Sequence, residues 1–240
     1  MKKILILGDI HANYPALKAI QNHVQGCRFD MIINTGDTIV YNTFPNETIK
    51  WFRKKEKSAS ILGNTDKRIL RILKGKKLKK PVKEEKRVMY FWTSINLLPK
   101  NIKYLQLLPR HADFTLDNVR IGVFHGTLDD ENETLFADSP EKRFRELAEG
   151  SPYQIQIMGH SHTPYYKKIN TVHFINPGSA GRMFDGDPRA SFAILKISLG
   201  KINVEHFRIP YPVEEVITGL KKNRLPDIYQ EMFRAGKKLN

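Results

Sequence analysis

Five short segments of the chain place Asp, His or Asn directly after an apolar run, where a strand would end. They are Gly8-Asp9-Ile10-His11, Gly36-Asp37, Gly63-Asn64-Thr65-Asp66, Phe124-His125-Gly126 and Gly159-His160-Ser161-His162. Carboxylate, imidazole and amide groups are ligands for divalent transition metals. Most of these segments are weak signals alone, because Gly-Asp and Gly-Asn are common turn dipeptides. His160-x-His162 is a stronger signal, since two imidazoles two residues apart are hard to explain by packing.

The elements that must position these side chains are typical of a layered α/β fold. Apolar runs predict strands over 3–7, 31–34 and 59–62, and Asn13-Tyr14-Pro15 predicts the start of a helix that ends at Gly26. In layered α/β proteins, ligands bind in the crevice outside the carboxyl ends of the strands. We therefore expect the five polar strand ends to meet in one site.

The second half of the chain predicts further strands near 154–158, 171–175, 191–197 and 202–207, after a hairpin that turns at Asp117-Asn118. Late hairpins favour a mixed sheet or a two-sheet sandwich over a purely parallel sheet. We predict one domain over 1–240, with an inserted helical cap at about 74–108. A C-terminal helical tail at about 212–240 is expected to pack on the outside.

The positive charge of the chain is concentrated in one segment. The formal net charge is +15, and residues 67–87 contain eleven Lys or Arg and two Glu, a net charge of +9. Such a run is typical of a solvated, partly mobile surface segment, and it is also compatible with nucleic-acid binding. A single cysteine, Cys27, cannot form an internal disulfide, and no apolar run reaches membrane length. The cytoplasm is the expected location, with no membrane partner.

Taken together, the five segments resemble the signature of the calcineurin-like metallophosphoesterases: D-x-H, G-D, G-N-[HC]-[DE], H-G and G-H-x-H. The resemblance extends from Lys3 to about Ser198, and Asn176-Pro177-Gly178-Ser179 is similar to a compact prokaryotic branch of that family. It implies a four-layer α/β/β/α sandwich of two mixed sheets, with the metals at one edge. It also implies hydrolysis of a phosphate ester by a hydroxide that bridges two metal ions.

The resemblance assigns roles to individual residues. One metal would be bound by Asp9, His11 and His162, the other by Asn64, His125 and His160, and Asp37 would bridge them. Two divalent transition-metal ions are implied, with Mn expected first and Fe, Zn, Ni or Co possible. Asn64, Asp66 and His125 would take part in catalysis, and Asn64, Arg68 and Arg182 would bind the substrate phosphate. Asn13 is interpreted either as a helix N-cap or as a residue that tunes the ligands.

One position departs from the family pattern. Many relatives carry His after the Gly-Asn pair, where it is thought to protonate the leaving group, whereas this chain carries Thr65. A hydroxyl of very high pKa is a poor general acid, so the substrate is expected to be a phosphodiester or an activated ester. Asp66 would then support the ligands or pair with Lys67 or Arg68.

Several alternatives share the same metal site. The substrate could be a small phosphate ester or a nucleotide, and a nuclease, a nucleotide pyrophosphatase and a protein phosphatase all stay open. A non-catalytic binding scaffold is disfavoured because all seven ligand positions are filled. The oligomeric state stays open, although apolar residues near Phe91-Trp92 or Leu97-Leu98 could join two chains.

Overall fold

The described strands form two mixed five-stranded sheets in the computed structural model, which describes residues 1–78 and 81–240. In chain order the strands are β1 (Lys2–Leu7), β2 (Met31–Asn34), β3 (Ser58–Ser60), β4 (Ala112–Leu116), β5 (Val119–Val123), β6 (Ile155–Ile157), β7 (Pro164–Ile169), β8 (Val172–Pro177), β9 (Ala190–Ser198) and β10 (Lys201–Ile209). The first sheet has the order β10-β9-β1-β2-β3, and the second has the order β4-β5-β6-β8-β7.

Both sheets combine parallel and antiparallel pairs, as predicted from the late hairpins. Strands β1, β2 and β3 run parallel, whereas β9 is antiparallel to β1 and β10. In the second sheet β5, β6 and β8 run parallel, with β4 and β7 antiparallel at the edges. Strand β7 was not expected from the sequence, because its Lys167 and Lys168 mask the strand pattern. Charged side chains of this kind are common on edge strands.

An aliphatic core lies between the two sheets. Alternation along β1 sends Ile4 and Ile6 into this core and Leu5 and Leu7 to the opposite face. The inter-sheet core also contains buried side chains from both sheets: Ile33, Ile61, Val119, Ile121, Val123, Ile155, Ile157, Ile175, Ala193, Leu195 and Ile197.

Helices cover the outer faces of both sheets. They are α1 (Tyr14–His23), α2 (Pro45–Arg53), α3 (Asn64–Leu73), α4 (Glu84–Asn96), α5 (Pro99–Leu107), α6 (Glu141–Ala148), α7 (Val213–Lys222) and α8 (Ile228–Ala235). Helix α6 packs Phe144 and Leu147 against the second sheet, and the others contribute to the core outside the first sheet. The layers are therefore α/β/β/α, as expected. None of the helices in the described ranges is long and apolar enough to cross a membrane.

The basic segment 67–87 differs in part from the expected solvated surface run. Its start lies in α3, where Ile69 is fully buried in the core, and its end lies in α4, inside the helical segment expected at about 74–108. Lys79 and Lys80 lie outside the described residues. The tail helices pack on the outer face of the first sheet, where Tyr229 and Phe233 of α8 are buried in the core.

Candidate metal centre

The polar strand ends do converge at one edge of the sandwich. Side chains that follow β1 and β6 form one group, Asp9, His11 and His162, and side chains that follow β2, β5 and β6 form a second group, Asp37, His125 and His160. Within each group the candidate ligand atoms lie within 4.8 Å of one another. Such a separation suits three donors around one cation.

A single carboxylate connects the two groups. Asp37 Oδ2 lies 3.7 Å from His11 Nε2, and Asp37 Oδ1 lies 3.6 Å from His125 Nε2. Each oxygen of Asp37 therefore faces a different group. This is the arrangement that a carboxylate shared by two cations requires.

Hydrogen bonds fix which nitrogen of two imidazoles faces the site. The Nδ1 of His125 lies 2.9 Å from the carbonyl of Thr35, and the Nδ1 of His162 contacts the carbonyl of Arg182. Because a carbonyl can only accept, both Nδ1 atoms carry the proton and donate it. Each Nε2 is left with a free lone pair that points into the site, as a metal-ligating histidine requires.

Two acceptor atoms face each other in the second group, and two imidazole nitrogens approach closely in the first, which fits bound cations. His125 Nε2 lies 3.0 Å from Asn64 Oδ1, and His11 Nε2 lies 3.3 Å from His162 Nε2. The buried Asp9 Oδ1 has no hydrogen-bond partner among the described residues. Close acceptors and a buried orphan oxygen are costly unless a cation lies between them. The residues present therefore fit two divalent metal ions.

Burial keeps three of the imidazoles neutral. It lowers the pKa of His11 to about 3 and that of His160 to about 4, and it lowers the pKa of His162 as well. Burial and the nearby Asp37 raise the pKa of Asp9. Neutral imidazoles have lone pairs for a metal, whereas two carboxylates in a dry site repel each other until a cation neutralises them.

The backbone at the ligands adopts an uncommon conformation. Five of the seven expected ligands have positive φ, between 48° and 67°: Asp9, His11, Asp37, His160 and His162. Non-glycine residues rarely adopt this left-handed region, and such strain persists where surrounding contacts fix it, often at functional sites. The sharp turns direct consecutive strand ends towards one point.

The end of β8 and the residues after it form a segment that fastens the loop that carries Asp9. Ser179 Oγ donates to the Asp9 carbonyl at 2.6 Å, and the Ala180 N–H donates to the Gly8 carbonyl at 2.9 Å. The side chain of Asn176 donates to the Gly159 carbonyl at 2.8 Å, so the same segment also supports the loop before His160. The motif around 176–181 is therefore a clamp that connects two ligand loops.

Asp66 supports the ligand loops instead of pairing with Lys67 or Arg68. Its fully buried carboxylate accepts the N–H groups of Thr38, Ile39 and Gly63 at 3.2, 3.1 and 3.0 Å. This joins the loop after Asp37 to the loop before Asn64. Gly63 is required at this junction, because a Cβ there would lie 2.1 Å from the backbone nitrogen of Asp37.

The two arginines that were expected to bind substrate lie in different surroundings. Arg68 is partly buried, and its Nη1 donates to the hydroxyl of Tyr90 on α4 at 2.7 Å. Arg182 is 5% exposed and lies against aromatic rings, with its guanidinium carbon 3.9 Å from the ring centre of Tyr41. Asn13 caps α1 by accepting the Ala16 N–H at 3.0 Å, which confirms the N-cap interpretation.

Three aromatic residues near the site were missed in the sequence. Tyr41 packs its edge against His11 at 5.2 Å, Phe184 stacks on His162 at 3.9 Å, and Tyr90 contacts the hydroxyl of Tyr41 at 2.8 Å. Tyr41 lies four residues after Asp37, so its place near the site could have been inferred from the sequence. Tyr90 gave none, because only the packing of α4 brings it near the site.

Removal of metal is expected to destabilise the protein. Divalent cations should bind the folded site and not the unfolded chain, so saturation adds about 2.7 kcal/mol at a hundred times Kd. For a chain of this size the Tm should fall by about 5 to 10 °C on chelation and recover with Mn²⁺. Differential scanning fluorimetry measures this change in Tm. The ligand variant His160→Ala is compared with His111→Ala, a matched control at an exposed histidine. An identical Tm with and without metal would contradict the site.

Comparison with known proteins agrees with this geometry. Residues 1–200 match the model of the calcineurin-like phosphoesterase superfamily domain. An uncharacterized protein of Methanocaldococcus jannaschii is 26% identical over 98% of both chains. A metallophosphoesterase of Sphaerobacter thermophilus superposes with a TM-score of 0.80 at 23% identity, over 98% of this chain and 99% of that one. A hypothetical protein of Pyrococcus horikoshii superposes with a TM-score of 0.87 at 18% identity, over 99% and 100%.

The family match indicates metal-dependent hydrolysis of phosphate esters, and the two ligand groups fit the metal ions that this activity uses. The matched region contains every expected ligand, from Asp9 to His162. The chain belongs to the calcineurin-like phosphoesterase superfamily and is a metallophosphoesterase.

Proposed function

We propose that the protein hydrolyses a phosphodiester with a weakly basic leaving group, with Mn²⁺ as its preferred metal. The observation that carries this proposal is the environment of Thr65. Its side chain is 3% exposed, and the hydroxyl donates to the carbonyl of Ile39 at 3.3 Å. At the position where many relatives carry a general acid, this chain therefore has a hydroxyl group whose proton points to the backbone. A leaving group that departs without protonation must be weakly basic.

The chain's own residues supply binding and orientation. The amide of Asn64, whose Oδ1 lies 3.0 Å from His125 Nε2, and the guanidinium of Arg68, one turn further along α3, suit the non-bridging oxygens of a phosphoryl group. Arg68 is held by Tyr90, so the helical segment that we propose as a cap orients a substrate-binding side chain. Two bound divalent ions would supply Lewis-acid activation of the phosphoryl group and of the attacking water. The bridging hydroxide that the family resemblance implies stays a prediction.

The test compares the rates at which esters with different leaving groups are hydrolysed. Metal-stripped protein is refilled with Mn²⁺, Mg²⁺ or Zn²⁺ and assayed with methyl p-nitrophenyl phosphate, methyl phenyl phosphate and p-nitrophenyl phosphate. We expect turnover with Mn²⁺, a preference for the diester, and a fall of about a hundredfold from the nitrophenyl to the phenyl diester. His160→Ala should be inactive and His111→Ala unaffected. Equal rates for both diesters, or a preference for the monoester, would contradict the proposal.

The same assay addresses the nuclease alternative. If the basic segment 67–87 tracks a nucleic-acid backbone, cleavage of a single-stranded oligonucleotide should fall steeply with salt. Lys67 already forms an ion pair with Glu131 at 3.0 Å, and Arg87 forms one with Glu84 at 2.7 Å, which reduces the charge available to a polyanion. We therefore favour a small diester or a nucleotide as the substrate. We also propose the cytoplasm as the location.

A further inference from the structure

Arg182 is a buried cation with no anionic partner among the residues that the structure describes. The side chain is 5% exposed, its Nη2 donates to Asn240 Oδ1 at 3.2 Å and lies 3.8 Å from the sulfur of Met232. Its Nε has no acceptor within the described ranges, and no carboxylate is among its polar contacts there. A buried charge left unpaired is costly, so a site of this kind indicates an anion that binds to it.

Aromatic rings separate this guanidinium from the metal ligands. Its carbon lies 3.9 Å from the ring centre of Tyr41, 5.0 Å from that of Phe184 and 5.5 Å from that of Tyr229. Tyr41 in turn packs against His11, and Phe184 stacks on His162. A single aromatic ring thus lies between the guanidinium of Arg182 and the first ligand group. An anion bound by Arg182 would lie beside a phosphate at the metals and would not coincide with it.

Two lysines complete a cationic cluster around Arg182. Lys238 Nζ lies 5.6 Å from the ring centre of Phe184, and the half-buried Lys86 lies in the first turn of α4. Lys86 lies one helical turn before Tyr90, whose hydroxyl is 2.8 Å from that of Tyr41, the ring that lies against Arg182. The pKa of Lys86 is lowered by burial and then by the positive charges of Lys238 and Arg182, with a smaller opposing effect of Glu85. These cations come from three separate segments of the chain.

We propose that Arg182, Lys86 and Lys238 bind a second phosphate group of the substrate. A planar guanidinium fork together with two ammonium groups suits a phosphate better than it suits a neutral group. The amide oxygen of Asn240 accepts from Arg182 until a phosphate oxygen replaces it. The assignment rests on the proposed phosphodiesterase function, and it narrows the substrate to a phosphodiester that carries another phosphate.

Binding by metal-free protein tests the cluster without catalysis. Isothermal titration of metal-stripped protein with inorganic phosphate should show binding that weakens at least about tenfold in Lys86→Gln/Lys238→Gln, since charge-assisted hydrogen bonds of this type are lost. The control, Lys168→Gln/Lys201→Gln, removes the same charge from two exposed lysines on strands β7 and β10. Equal weakening in both double variants, or none in the first, would overturn the proposal.

Kinetics with a matched pair of diesters tests the substrate class. Thymidine 5′-(p-nitrophenyl phosphate) is compared with the same ester carrying a 3′-phosphate, and nitrophenolate release is followed. We expect kcat/KM to favour the 3′-phosphorylated ester by at least about tenfold in the wild type and by less than about twofold in Lys86→Gln/Lys238→Gln. If the wild type showed no preference for the 3′-phosphorylated ester, the proposal of a second phosphate site would be overturned. If neither ester were cleaved while phosphate binding still depended on the lysines, the proposed function would fail and the anion site would stand.

Discussion

Replacing Asp37 with asparagine is expected to abolish turnover of a nitrophenyl diester and to reduce the metal content from two ions per chain to one or none. Each carboxylate oxygen faces a different ligand group, at 3.7 Å from His11 and 3.6 Å from His125. An asparagine side chain has one oxygen and no charge, so it cannot serve both groups. We expect kcat to fall at least about a thousandfold, which corresponds to about 4 kcal/mol of lost transition-state stabilisation.

The measurement combines steady-state kinetics with metal analysis by mass spectrometry. The variant should still fold, because an asparagine oxygen can accept the Thr65 N–H that Asp37 Oδ1 accepts at 2.8 Å. Asp117→Asn is the matched control, since that residue is exposed in the hairpin turn between β4 and β5 and asparagine tolerates its positive φ. Two bound metals and full turnover in Asp37→Asn would show that the carboxylate does not link two ions.

The second large effect is expected from replacing Asp66 with asparagine, which should lower the stability of the folded protein in the first place. Its carboxylate accepts three backbone N–H groups, and an amide would turn its NH₂ towards at least one of them. Losing charge-assisted bonds and leaving a buried donor unpaired should cost about 3 kcal/mol. For a chain of this size the Tm should then fall by about 6 to 12 °C.

Thermal unfolding of Asp66→Asn at pH 8 measures this loss. We choose that pH because burial and the nearby Asp37 raise the pKa of Asp66 to about 7, so the carboxylate is mostly ionised at pH 8. Asp117→Asn should change stability by no more than about 0.5 kcal/mol. Metal affinity should also fall in Asp66→Asn, because the loops of Asp37 and Asn64 lose their connection. An unchanged Tm would mean that the three backbone groups find other acceptors.

The sequence contained much of the fold and the position of the site. Strand ends are local features, so the alternation along β1 and the polar residues after it could be recognised without tertiary information. The structure brings the expected ligands together at those ends. The four layers that the family resemblance implied are present, and both sheets are mixed, as the late hairpins favoured.

What the sequence could not provide depends on contacts between distant segments. Asp66 was recognised as a site residue, but its three donors come from two loops that meet only in the folded chain. Arg182 was expected to reach the substrate phosphate, yet its aromatic surroundings include Tyr41 and Tyr229, which are far apart in sequence. Charge and spacing alone do not reveal such packing.

The clamp around 176–181 has a consequence for the order in which the protein acquires its activity. Ser179 fastens Asp9 across a separation of 170 residues, so the first ligand loop leaves the ribosome long before its support exists. Contacts of such long range form late, since loop closure precedes any gain from them. We therefore expect nascent chains that end before Ser179 to bind metal weakly. Metal uptake would then report that synthesis and folding are nearly complete, and tight binding by such shortened chains would refute this view.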